Sequence, residues 1–319
     1  MKIKSKLWNL KRIFKRAYSS LWQDSTDYLD AYSLDLEVSQ PSTASLQSAK
    51  VIRGQNKPPS LMIYGVRPRA GTNFIGRLLS NHPDICAYPN DIYEIPFLCM
   101  TNKLTAFQDA FFGDYYRNIQ QMKKNDFLPL FGASFISHLY SFVPENKTLL
   151  TKEPDVRYLR YFPTMFPHEN LLLVLRDGRD VVHSTVTSWP DMDFKTVCQR
   201  WHDSAMLILE YQKKYRDQFL LIKYEDMLEN PEKLLTEILN HYHLNPETYP
   251  FDSITDTPII GSSTASNQGE GVSWKPIKAN KEFKPTNKWL TWTPAQKKMF
   301  KDIAGESLLA CQYCDNLDW

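Results

Sequence analysis

Short apolar runs separated by polar turns organise the chain from residue 61 onward. Leu61-Met62-Ile63-Tyr64-Gly65-Val66 is continuous and apolar, too short for a core helix, and predicts a buried strand. It enters a turn, Arg67-Pro68-Arg69-Ala70-Gly71, and then a stretch over 72–80 with helical spacing. The same order recurs three times. Residues 148–151 predict a strand end, followed by Lys152-Glu153-Pro154 and a helix near 157–166. Residues 171–175 are all apolar, followed by Arg176-Asp177-Gly178-Arg179 and a helix toward Trp189. Residues 219–222 predict another strand, with Tyr224-Glu225-Asp226 behind it and a helix over 231–242. The segment 101–145 reads as helical or irregular, a cap for the sheet.

Strands that alternate with helices predict an α/β fold, a P-loop-like parallel sheet flanked by helices on both faces. Strands that are apolar throughout, rather than alternating, agree with burial of both faces. Ligands of such sheets bind beyond the carboxyl ends of the strands, where all four turns fall. Residues 23–58 are polar and close on Lys57-Pro58-Pro59, so they read as a linker or irregular wrap. The expected layout is a segment 1–58 followed by one domain over 59–319.

Charge changes the picture only at the start of the chain. The net charge of +2 conceals seven Lys and Arg residues and no acid within the first sixteen positions. The remainder carries 31 basic against 36 acidic residues, which excludes a nucleic-acid surface by charge. Leu7, Leu10, Phe14, Ala17 and Leu21 recur at helical spacing among those bases. This is a basic amphipathic pattern that suits an anionic membrane surface, and equally a packing helix or a disordered arm. No run of 18 apolar residues predicts a membrane span, and no continuous apolar core predicts a signal peptide. Five scattered cysteines do not form a disulfide framework, and Cys311-x-x-Cys314 has no second metal-binding pair. A cytoplasmic, reducing location, peripheral at a membrane, is the expectation.

The first turn has the character of a phosphate loop. A Gly-rich turn running into a helix presents backbone N–H groups and a positive dipole end to an anion. Here the order is Gly71-Thr72-Asn73, with no Lys after the Gly, and Arg69 offers the cation instead. Arg176 directly follows the third strand, with Ser184 two helical turns on. Arg binds phosphate through paired hydrogen bonds, although Asp177 and Asp180 are alternative structural partners for it.

Together these segments resemble PAPS-dependent sulfotransferases, where PAPS is 3′-phosphoadenosine 5′-phosphosulfate. Pro68-Arg69-Ala70-Gly71-Thr72-Asn73 resembles the family's 5′-phosphosulfate loop, and continues in the family's manner through Leu78-Leu79-Ser80-Asn81-His82-Pro83-Asp84. The run from Arg176 to Ser184 looks like its 3′-phosphate element. Tyr224-Glu225-Asp226, Asn230-Pro231-Glu232 and Lys288-Trp289 follow in the family's order, so the likeness covers about 61–290. The Thr151-Lys152-Glu153-Pro154-Asp155 stretch leans toward the tyrosylprotein and carbohydrate branches. Ala70 and Asn73 depart from the family's Ser and Thr.

The resemblance implies a sulfotransferase fold and a set of roles. Arg69, Ala70, Gly71, Thr72 and Asn73 hold the 5′-phosphosulfate. Arg176 and Ser184 hold the 3′-phosphate. Tyr224 contacts the nucleotide, and Lys288 reaches the phosphates. Lys152 faces the leaving group. Sulfuryl transfer is an in-line displacement governed by positioning and charge stabilisation, and it demands no metal. The acceptor's proton needs a base, for which Glu94 is the first candidate and Asp91 the second. His138 and His183 are weaker candidates, and Ser263 or Ser273 is placed to assist at the sulfate. The expected acceptor is a hydroxyl, a glycan first, with peptidyl tyrosine or a small alcohol behind it. A P-loop kinase is disfavoured because the chain lacks Gly-Lys-Ser/Thr, and Mg²⁺-dependent ATP binding would reveal one. A non-catalytic nucleotide- or glycan-binding module requires loss of the base or Lys152, and both are present.

Overall fold

A computed structural model describes residues 25–88, 94–114, 122–258 and 285–319. Five parallel strands form one sheet: β1 Leu61–Gly65, β2 Ile85–Ala87, β3 Thr148–Glu153, β4 Asn170–Leu175 and β5 Leu220–Lys223, in the order β2-β3-β1-β4-β5. The helices are α1 Ser25–Ala31, α2 Thr43–Ile52, α3 Thr72–Ser80, α4 Thr101–Asp114, α5 Phe127–Tyr140, α6 Gly178–Ser188, α7 Phe194–Tyr215, α8 Tyr224–Glu229, α9 Pro231–His241 and α10 Pro294–Ala310.

The apolar strand runs are explained by two cores, one on each face. Leu61 and Ile63 join one cluster with Leu150, Leu172, Val174 and Ile222. Met62 and Tyr64 join the other with Leu149, Leu171, Leu173 and Leu175. Successive side chains point to opposite faces, so strands covered on both sides are apolar for most of their length, while β3 ends in the buried polar residues Thr151, Lys152 and Glu153. Helices α3 and α9 supply Ile75, Leu78, Leu79, Leu235 and Ile238 to the first cluster. Helices α5 and α7 supply Leu128, Ile136, Trp201 and Ile208 to the second.

The order places β1 beside β4, paired from Leu61 with Asn170 to Gly65 with Val174. The chain leaving β1 travels toward β2, and the chain leaving β4 travels the opposite way toward β5. The two turns diverge and leave a crevice beyond the strand ends, the usual ligand position in an open parallel sheet.

Three elements depart from the sequence reading. The helix expected near 157–166 is a 3-10 turn, Leu159–Tyr161, and a single α-turn, Phe162–Met165, with Tyr158 entering at φ 61°. Strand β2 has only three residues, too few for a periodic signal. Residues 25–58 contribute two helices and pack against the rest of the fold. Arg53 and Glu169 form a buried ion pair at 2.6 Å, Asp30 pairs with Arg160, and Tyr32 accepts a hydrogen bond from Arg67 at 2.6 Å. The basic amphipathic stretch within 1–22 lies outside the described residues.

Candidate active site

The turn after β1 is shaped by two residues in the left-handed region, Arg69 at φ 81° and Gly71 at φ 91°. Gly71 is required twice. Its φ disfavours a side chain, and a Cβ there would lie 2.2 Å from the ring of Tyr224. Gly71 caps α3, and its carbonyl accepts from the N–H groups of Phe74 and Ile75 at 3.0 and 3.1 Å. The N–H groups of Gly71, Thr72 and Asn73 therefore stand ahead of the helical ladder, at the positive end of the dipole. Thr72 is buried and turns its methyl toward Gly65, and Ala70 is fully buried. The loop thus offers backbone donors at 71–73, while Arg69 supplies its side-chain charge.

Three cations from three elements converge here. Arg69 donates through Nε to Ser184 Oγ of α6 at 2.9 Å and lies over the ring of Trp189. Arg176, at the end of β4, donates to the carbonyls of Arg69 at 2.7 Å and Pro285 at 2.5 Å. Its guanidinium lies 4.4 Å from the centroid of Tyr224, whose ring is also packed against Gly71. Arg176 is buried, and its Nε has no partner among the described residues. Lys288 is placed by Asp180, whose carboxylate accepts the N–H groups of Asn287 and Lys288 at 2.7 and 2.8 Å.

The cations disfavour one another's charge. Burial, then the nearby Arg176, lowers Arg69 to about 10. Burial, then Arg176, lowers Lys288 to about 8. A multiply charged anion would relieve both effects. Binding such an anion should raise the pKa of Lys288, so affinity should fall as pH rises through about 8. Calorimetry near pH 8.5, in buffers of different ionisation enthalpy, should record proton uptake on binding. Lys288→Met should abolish that uptake.

Lys152 and Glu94 form the second half of the site. Lys152 Nζ donates to Glu94 Oε1 at 2.8 Å, with the lysine side chain 2% exposed and the glutamate 51%. The pair is fixed from the backbone as well, because Glu94 bridges Lys152 and the N–H of Ile95 donates to Lys152 O at 3.0 Å. A buried ammonium and a half-exposed carboxylate thus meet at the carboxyl edge of β3. The next residue, Glu153, is buried with one carboxyl oxygen unpartnered among the described residues. Burial, then Asp155 and Glu94, push Glu153 up to about 8.

Asp91, Ser263 and Ser273 lie outside the described residues. His138, in the last turn of α5, packs edge-on against Phe142 at 5.2 Å. His183 is half-buried beside Lys288, and burial followed by that lysine holds it below the usual imidazole range. The sequence reading passed over the placing roles of Asp180 and Trp189. Asp180 was visible only as a possible partner of Arg176. Trp189 carries no local signal, since its contact with Arg69 is made through the tertiary fold.

The model of the sulfotransferase family matches residues 59–247, more than half of the chain. The chain belongs to the sulfotransferase family. This sulfotransferase is 24% identical over 246 residues to protein-tyrosine sulfotransferase 1 of Danio rerio, covering 68% of the chain and 66% of that relative. It is 23% identical over 193 residues to a protein-tyrosine sulfotransferase of Drosophila melanogaster, covering 58% of the chain and 38% of the relative. The chain therefore spans less than two thirds of the length of either protein. Among solved structures it resembles the sulfotransferase domain of the Synechococcus PCC 7002 olefin synthase. That match has a TM-score of 0.47 and 18% identity, covering 80% of this chain and 96% of that one. The parallel sheet flanked by helices is the fold expected from the sequence.

Proposed function

We propose that this sulfotransferase moves a sulfuryl group from PAPS to the phenolic hydroxyl of a peptidyl tyrosine. The observation that carries the donor assignment is the convergence of Arg69, Arg176 and Lys288 with the N–H groups of 71–73, where Arg176 Nε is buried without a partner among the described residues. These groups suit a nucleotide with phosphates at both ends. The 5′-phosphosulfate lies along Arg69 to Asn73, and the 3′-phosphate lies at Arg176 and Ser184. The acceptor assignment is supported by relatives named as protein-tyrosine sulfotransferases. They favour tyrosine over the glycan hydroxyl expected from the sequence.

In the reaction the acceptor oxygen bonds to sulfur as the bond from sulfur to the bridging phosphate oxygen breaks. The acceptor's proton passes to the Glu94 carboxylate. The Lys152 ammonium stabilises the charge gathering on the departing phosphate oxygen. The reading is supported by the nearness of the two side chains, 2.8 Å apart at one strand end, from which the carboxylate can serve the acceptor oxygen and the ammonium the departing one on the far side of the sulfur.

Calorimetry tests the donor. Binding of 3′-phosphoadenosine 5′-phosphate should be tighter than that of AMP. Arg176→Ala should cost about 1.5–3 kcal/mol for the 3′-phosphorylated nucleotide, the worth of hydrogen bonds to a charged group, and almost nothing for AMP. Equal affinity for both nucleotides in the unaltered protein would sink the assignment. Labelled-sulfate transfer tests the acceptor. A tyrosine peptide should be labelled and its phenylalanine counterpart should not. Labelling of a glycan alone would reverse the acceptor reading.

A further inference from the structure

Two carboxylates, Asp180 and Glu225, feel the charge of Arg176, a third, Asp177, adjoins it in sequence, and each is committed to another donor. Asp180 accepts the backbone N–H groups of Asn287 and Lys288. Glu225 accepts the N–H of Asp177 at 3.1 Å and the hydroxyl of Tyr313 at 3.1 Å. Asp177, the immediate neighbour of Arg176 in sequence, is taken by Arg179. The Arg179 side chain donates to both carboxylate oxygens, through Nε at 3.0 and 3.1 Å and through Nη2 at 2.6 Å. Arg176 itself bonds only to carbonyl oxygens among its described partners. A cation that is to receive a phosphate must not be neutralised by an internal acid first, because such an ion pair would have to be broken on binding.

Arg179 is held in place from outside the site. Its guanidinium lies 4.2 Å from the ring centroid of Trp289 and 4.9 Å from that of Trp319, and it donates to the carbonyl of Tyr313 at 3.0 Å. The two indoles touch each other, with centroids 4.7 Å apart. Arg179 is buried, so these ring contacts act where water is largely excluded and are stronger for it. Trp289 directly follows Lys288, which ties the same clamp to the phosphate-facing lysine.

We propose that Arg179, clamped by Trp289 and Trp319, draws Asp177 away from Arg176 and is thereby a positioning residue for the nucleotide's 3′-phosphate. The inference rests on the nucleotide assignment made above. Without the Arg179 side chain, the Asp177 carboxylate keeps only the capping bond from the N–H of Arg179 at 2.9 Å, and its uncompensated charge competes with the phosphate for Arg176. Arg179 does not touch the nucleotide, so removing the competitor should restore what removing Arg179 takes away.

The experiment is a four-way calorimetric cycle with 3′-phosphoadenosine 5′-phosphate and with AMP. Arg179→Met should weaken the 3′-phosphorylated nucleotide by about tenfold or more, as expected when a charge-assisted contact is lost, and leave AMP unchanged. Asp177→Asn alone should bind normally, because Asn still caps a helix. The double variant should recover most of the lost affinity. A purely structural Arg179 would show no such recovery, and an Arg179→Met protein that binds normally also overturns the proposal. If Arg179→Met does not fold, the same cycle is run with Trp319→Ala. Trp319→Ala should weaken binding, Asp177→Asn should rescue it, and Trp319→Phe should retain it. Absence of rescue there counts against the proposal equally. Failure of the unaltered protein to prefer the 3′-phosphorylated nucleotide would instead remove the nucleotide assignment, and this inference with it.

Discussion

Lys152→Ala should lower kcat by about 100-fold or more, and Glu94→Gln should do the same, the usual worth of one charge-stabilising or acid–base group. In the proposed mechanism the two residues act as the sulfur–oxygen bond breaks and the acceptor loses its proton. Affinity for 3′-phosphoadenosine 5′-phosphate should therefore change little for Glu94→Gln and only modestly for Lys152→Ala. Because the side chains meet at 2.8 Å, the double variant should lose less than the product of the two single losses. Single-turnover kinetics with a saturating donor separates the chemical step from binding. Asp91→Asn is the control for the second carboxylate. Normal turnover in Glu94→Gln, with loss in Asp91→Asn, would move the base to Asp91 and leave the rest of the mechanism in place.

Gly71→Ala should be the most damaging change in the phosphate loop. The added methyl would stand 2.2 and 2.4 Å from two ring carbons of Tyr224, at a φ of 91° that side chains rarely adopt. The backbone conformation alone costs about 1–2 kcal/mol. The overlap forces either the loop or the tyrosine to move. Tyr224 supports the guanidinium of Arg176, so displacement disturbs Arg176 and the 71–73 turn together. Thermal unfolding should show a drop of several degrees in Tm, and calorimetry should show nucleotide affinity falling at least tenfold. Pairing Gly71→Ala with Tyr224→Leu tests the cause. Stability should partly return because the ring is gone, whereas affinity should not.

The sheet was legible because β1, β4 and β5 are largely apolar runs closed by turn residues and β3 repeats their order around Leu149-Leu150, and parallel order follows from the helices between them. Strand β2 escaped notice because three residues carry no period. The residues at the ends of strands could be grouped from topology alone: Arg69 after β1, Lys152 at the end of β3, Arg176 after β4 and Tyr224 after β5. Topology does not fix their partners. Arg176 had Asp177 and Asp180 as ready neighbours, yet the fold gives Asp177 to Arg179 and Asp180 to two backbone N–H groups. Those choices depend on Trp319 and Asn287, which lie more than a hundred residues away in sequence. The contact between Lys152 and Glu94 spans 58 residues and is set by a single backbone bridge at a strand edge.

The cationic site is assembled from both ends of the domain. Arg69 and Gly71 are made early in synthesis, while Pro285, Lys288 and Trp289 come near the end of this sequence. A chain still emerging from a ribosome can build β1 through β5 before it has any of the three late residues. Donor nucleotide therefore cannot guide the early steps of folding, and the sheet must reach its order without it. Once the late segment docks, a nucleotide bound at the proposed site would stabilise the finished form by mass action. On the proposed assignment, donor binding would be a readout of completed folding, and a chain lacking the late segment would escape ligand protection even with an intact sheet.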